Sequence, residues 1–212
     1  MKRRANSPRD ARMRERLVQE AARIMAEEGI TDYHLAKRKA AGRLGAADTR
    51  NLPQNREIQE ALVEYQRLFG GAQRMHRLRR ILETALEAMD FLERFRPRLV
   101  GAVLDGTAGE YSDLHLHVFA DTPEELLLFL MDHDIPFDTD ERRYRFDSDY
   151  EFRPVYRFMA GDIPVDLTLF DERGLRHPPR SKVDGQPMRR AGRDAVKDML
   201  ERLPADEAVP DA

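Results

Sequence analysis

Apolar positions recur at helical spacing through the first part of the chain and alternate through the second, and the change falls at Pro97. Leu17, Ala21, Ile24 and Met25 predict an amphipathic helix over Arg12 to Glu28, stopped by Gly29, and Thr31 is placed to cap a second helix reaching about Leu44 before Gly45. Ile58, Leu62, Tyr65 and Leu68-Phe69 mark a third helix over Glu57 to Phe69, closed by Gly70-Gly71. Leu78, Ile81-Leu82, Ala85, Met89 and Leu92 mark a fourth over Met75 to Phe95.

Beyond Pro97 the pattern predicts strands over Leu99 to Leu104, Leu114 to Ala120, Arg143 to Phe146, Val155 to Met159 and Val165 to Phe170, the last two joined by a Gly161-Asp162 hairpin turn. Thr122-Pro-Glu-Glu125 is a helix start, with a capping hydroxyl, proline in the first turn and acids near the positive end of the helix dipole. The apolar helix it opens runs from Glu124 to about His133. A last helix is expected over Gly192 to Leu203. The fold class that follows is α+β, with helices packed on a mixed sheet. The predicted organisation is a helical region 1–95, a sheet-based core 96–172, an irregular segment with a C-terminal helix 173–203, and a disordered acidic tail 204–212.

Charge sharpens the division. Residues 1–100 hold 22 Lys and Arg against 14 Asp and Glu, whereas the remaining 112 residues hold 14 against 25. That asymmetry suits halves that attract each other, or a basic half that meets a polyanion. The 212 residues include no cysteine, which excludes disulfides and thiolate metal sites. No apolar run approaches the ~20 residues of a membrane span, so the expectation is a soluble, cytoplasmic protein with no membrane partner.

The candidate chemistry lies between Gly101 and Phe119 and again around Asp166. A Gly101-Ala102 pair precedes Gly106-Thr107-Ala-Gly109, a turn that leaves backbone N–H groups for an anion, and Ser112-Asp113-Leu-His115-Leu-His117 follows on an alternating strand. Alternation sends Asp113, His115 and His117 to one face and Leu114, Leu116 and Val118 to the other. Asp166 interrupts the otherwise apolar Ile163 to Phe170, where a buried carboxylate needs a partner or a metal.

This order resembles the signature of the nucleotidyltransferase superfamily over roughly residues 96–172: a small pair, then an Asp-hydrophobic-acid triplet on a strand, then a third acid on a later strand. The chain departs from it at Ala102, which lacks a phosphate-touching hydroxyl, and at His115, which replaces the second acid. The resemblance implies metal-dependent transfer of a nucleotidyl group from an NTP, with Mg²⁺ or Mn²⁺ held by Asp113, His115 and Asp166. Gly101, Gly106, Thr107 and Ser112 would contact the nucleotide, and Arg173, Arg176 and Arg180 the triphosphate or an acidic acceptor such as tRNA.

Two other functions are open to the same sequence. Arg12 to Gly29 is similar to the opening helix of tetracycline-repressor-type regulators, and Lys37, Arg38 and Lys39 follow on the next helix, which suits a nucleic-acid-binding regulator. A catalytically inactive nucleotide-sensing or interaction protein would keep the fold without the transfer.

Overall fold

A computed structural model describes residues 8–46, 51–110, 112–147 and 149–204. The protein is α+β, and its described residues divide into two compact units, one reaching Gly71 and including Lys182–Asp184, the other containing the rest. The tail expected to be disordered lies almost wholly outside the described residues.

The first unit is built from α1 (Pro8–Glu28), α2 (Tyr33–Arg43) and α3 (Asn55–Phe69). Leu17, Ala21, Ile24, Ala36, Ala40, Ile58 and Leu62 form its core, and the alanines let the helix backbones approach closely. The cap of α2 is Asp32 rather than Thr31, because the Asp32 carboxylate accepts the Leu35 N–H at 2.8 Å. Gly29 and Gly45 end α1 and α2 at φ of 65° and 63°, a conformation glycine adopts without strain.

In the second unit α4 (Gly71–Phe91) precedes β1 (Arg98–Val100), α5 (Ala102–Asp105), β2 (Leu114–Phe119), α6 (Pro123–Asp132), β3 (Asp138–Phe146), β4 (Asp149–Ala160), β5 (Ile163–Phe170) and α7 (Arg193–Glu201). The strands form one mixed sheet in the order β1-β2-β5-β4-β3. β1 runs antiparallel to β2, β2 parallel to β5, and β5-β4-β3 is an antiparallel meander. At the start of α6 the Glu125 side chain accepts the Thr122 N–H at 3.1 Å, completing the expected capping box.

Three sequence expectations are corrected here. The apolar run from Leu99 to Leu104 is not one strand: it ends at Val100, Gly101 turns the chain at φ 76°, ψ −151°, and the short helix α5 follows. β3 and β4 are far longer than the apolar patches that suggested them, since β3 is an edge strand of charged residues, which guard an edge without breaking its pairing. Packing also divides the chain at Gly71 instead of residue 95. Ile81, Leu82, Ala85 and Met89 of α4 join Leu99, Leu114, Leu116, Val118, Val165 and Leu167 in one core, as do Leu126 and Leu130 of α6 and Val196 of α7. An apolar helix stripe needs an apolar surface to cover, and for α4 that surface is the sheet. Among the described residues no helix is long and apolar enough to cross a membrane.

Leu116 sits at the centre of this core with no exposed surface. Its replacement by alanine removes apolar burial and leaves a cavity, so Leu116→Ala is expected to lower stability by about 3 kcal/mol. Urea denaturation of the two proteins measures the difference, and a loss below about 1 kcal/mol would mean that the sheet face collapses around the gap.

Candidate functional site

The pairing of β2 with β5 places His115 directly beside Asp166 and His117 beside Thr168. The β5-β4 hairpin sets Arg157 opposite Asp166. Side chains alternate across a strand, so His115, Asp166 and Arg157 share the face opposite the helix-covered core. Asp166 is only 4% exposed. Arg142 of β3 donates through Nη2 to its Oδ2 at 2.6 Å, and Arg157 donates through Nε to its Oδ1 at 3.1 Å. Arg157 also reaches Asp140 at 3.0 Å.

His115 Nδ1 lies 3.4 Å from Asp166 Oδ2 but is not aligned for a hydrogen bond with any partner among the described residues. Asp113, immediately before β2, is half-buried and within electrostatic reach of His115, Asp166, Arg157 and Arg77. The three predicted ligands Asp113, His115 and Asp166 therefore gather at one end of the sheet.

The two carboxyls are driven apart in acidity. Burial alone would raise Asp166, but His115 and the Arg142 guanidinium outweigh it and hold this carboxyl well below the usual carboxylate range. Asp113 is raised, first by burial and then by the negative charge of Asp166, with His115, Arg157 and Arg77 opposing.

Gly101 backs onto this cluster. A Cβ there would meet His115 Cδ2 at 3.5 Å, and its positive φ disfavours any side chain. The turn that follows is internally bonded. Asp105 N–H donates to Gly101 O at 2.9 Å, Gly106 N–H to Val103 O at 3.4 Å, and Thr107 N–H to Ala102 O at 2.9 Å. The Ser112 hydroxyl accepts the Gly109 N–H at 2.9 Å. The expectation of a turn with unused N–H groups is thereby corrected: Gly106, Thr107 and Ser112 shape the loop, and the N–H groups of residues 105, 106, 107 and 109 are spent inside it. Arg74 of α4 holds the loop from outside, donating to Ala108 O at 2.8 Å and Gly106 O at 3.2 Å.

His117 is a core residue. It has no exposed surface, and Arg190 Nε donates to its Nδ1 at 3.0 Å. Burial, together with the Arg190 charge, keeps the imidazole neutral by pushing its pKa well below the ordinary value. Arg190 itself lies 5.1 Å from the ring centres of Phe119 and Phe170, and burial pushes its pKa down to about 10. Of the arginines expected to meet an anion, Arg180 pairs with Asp147 at 2.5 Å.

The arrangement does not fit a resident Mg²⁺ or Mn²⁺ ion as the resemblance implies. Both Asp166 oxygens already accept guanidinium N–H groups, and no group of three His, Asp or Glu side chains among the described residues is arranged to hold a metal. The basic residues of the first unit are likewise engaged within it. Lys39 pairs with Glu28, Arg43 with Glu28 at 2.6 Å and Glu20 at 3.2 Å, and Lys37 donates to Asn55 at 2.6 Å.

Arg74, Arg142 and Arg157 are the site residues that sequence reasoning missed. For Arg157 a signal existed, because Arg157 and Asp166 are equally far from the Gly161-Asp162 turn and a two-residue turn pairs such positions. Comparison with protein-family models, with curated proteins and with solved structures finds no match to this chain.

Opposite acidity shifts predict opposite mutant effects. A lowered carboxyl contributes stability that is fully present above its unfolded value of about 3.9 and is lost as pH falls through its folded value. Asp166→Asn is therefore expected to cost about 2 kcal/mol at pH 7, with the gap closing as pH falls below about 4. A raised carboxyl is destabilising when ionised, so Asp113→Asn is expected to stabilise at pH 7. Urea midpoints for the three proteins at pH 7 and pH 3 decide the matter, and shifts of the same sign for both variants would refute the assignment.

Proposed function

We propose that this chain is a nucleotidyltransferase-like protein that binds a nucleoside triphosphate at the end of the sheet marked by Gly101, Asp113, His115 and Asp166, and that it retains the nucleotide without transferring it. The observation that carries the reading is the register. A glycine turn after the first strand faces His115 on an antiparallel neighbour, and the acid-bearing β5 lies parallel beside that strand. A strand, a glycine turn, an acid at the start of the next strand and a second acid on its parallel neighbour is the arrangement that the superfamily resemblance asks for.

Binding is favoured over transfer on two grounds. Nucleotidyl transfer is an in-line displacement at the α-phosphorus that draws on carboxylates to hold the metal, and here a histidine occupies the place of one acid. The other conserved role in the pattern, a free carboxylate on the later strand, falls to Asp166, whose oxygens serve Arg142 and Arg157. Asp113 remains half-buried and raised in pKa, which suits it to accept a hydrogen bond or a proton at neutral pH more than to serve as a fully charged metal ligand.

Equilibrium dialysis against the four NTPs with Mg²⁺, alongside a pyrophosphate-release measurement, tests both halves. At least one NTP is expected to bind, and Gly101→Val, which forces a side chain toward His115 from an unfavourable backbone, is expected to weaken binding about tenfold or more. Absence of binding for every NTP overturns the nucleotide site. Pyrophosphate release by the unaltered protein overturns its assignment as a binder alone.

A further inference from the structure

A buried carboxylate in a sheet must be compensated by positive charge, and Asp166 obtains that charge from within the chain. Arg142 and Arg157 approach from the two strands beyond it, each to a different oxygen, at 2.6 Å and 3.1 Å. Together they carry two positive charges, the same total as one divalent ion. Their side chains are 31% and 46% exposed against 6% for that of Asp166, so the acid is enclosed while its cations reach toward solvent.

One polar atom in the cluster lacks a partner: His115 Nδ1 is buried and makes no hydrogen bond among the described residues. It faces Asp166 Oδ2 at 3.4 Å. A metal held at about 2.1 Å from an imidazole nitrogen and a carboxylate oxygen in tetrahedral geometry separates those atoms by about 3.4 Å. Octahedral Mg²⁺ at similar bond lengths would need about 3.0 Å. The nitrogen and oxygen are therefore spaced for a tetrahedral ion, with Asp113 nearby as a further oxygen donor, and the place such an ion would take is served by two guanidinium groups.

We infer that Arg142 and Arg157 are the resident counter-cations of Asp166, and that Asp113, His115 and Asp166 form a divalent-cation site of tetrahedral, nitrogen–oxygen type only when those guanidinium groups are removed. Guanidinium stays charged at any pH the fold survives, so the displacement of metal is permanent in the unaltered chain and is not relieved by titration. The inference goes beyond nucleotide binding and stands on the Asp166 contacts alone.

Co²⁺ titration followed by visible absorption reads it directly, because tetrahedral cobalt absorbs far more strongly than the hexaaqua ion. The unaltered protein is expected to show no saturable band. The Arg142→Gln/Arg157→Gln double variant is expected to show one, with affinity raised by about tenfold or more, and addition of Asp166→Asn to the same background is expected to abolish it. Arg157→Gln alone, at the more exposed of the two side chains, provides an intermediate gain in a less perturbed protein, with far-ultraviolet circular dichroism reporting the fold. Saturable cobalt binding by the unaltered protein as tight as by the variants overturns the inference. So does a gain that survives Asp166→Asn, or folded variants that bind no better than the original. None of these outcomes bears on whether an NTP binds, which the dialysis experiment settles independently.

Discussion

Asp166 is the constraint around which the second unit is arranged. A carboxylate with almost no exposed surface in the middle of a sheet is tolerable only if its charge is met at short range, and ionised groups buried alone cost several kcal/mol. That requirement explains why the two strands beyond β5 are rich in arginine on this face, and why β3 is long enough to carry Arg142 to the acid despite being an edge. It also places His115 beside a permanent negative charge through β2–β5 pairing, which a slip of one residue in register would destroy by sending every side chain to the other face.

The two faces of the sheet use different physics. One is sealed by α4, α6 and α7 through an uninterrupted apolar core. The other interleaves polar groups with Phe119, Tyr144 and Phe170, and its buried polar groups are satisfied chiefly by arginine: Arg142 and Arg157 at Asp166, Arg190 at His117. Tyr144 continues the network to Thr168 at 3.2 Å. Fixed hydrogen-bond directions from planar guanidinium groups make this face specific, whereas the helix-covered face is held by area.

Much of the element order was legible from periodicity, since Ile81, Leu82, Ala85 and Met89 repeat at helical spacing and Leu114, Leu116 and Val118 alternate. What periodicity could not convey was destination. The stripe on α4 says that a surface must be covered but not which one, so the boundary was drawn where the period changes and not where packing changes. Gly101 hid a turn inside an apolar run, because hydrophobicity does not register a positive φ. Asp113, His115 and Asp166 could be singled out as chemistry-bearing, whereas Arg142 and Arg74 reach their partners through tertiary structure that no local spacing encodes. The same locality limited the reading of His117, which alternation placed correctly on the polar face while saying nothing of its burial.

The attachment of Arg74 to the carbonyls of Gly106 and Ala108 has a practical meaning for dissecting the molecule. A fragment begun at residue 96, where the periodicity changes, would lack both the apolar stripe that covers the sheet and the guanidinium that pins the glycine loop. The natural cut lies just after Gly71, so the smallest piece that retains the loop, the sheet and its covering helices includes a helix that any division by pattern alone would assign elsewhere.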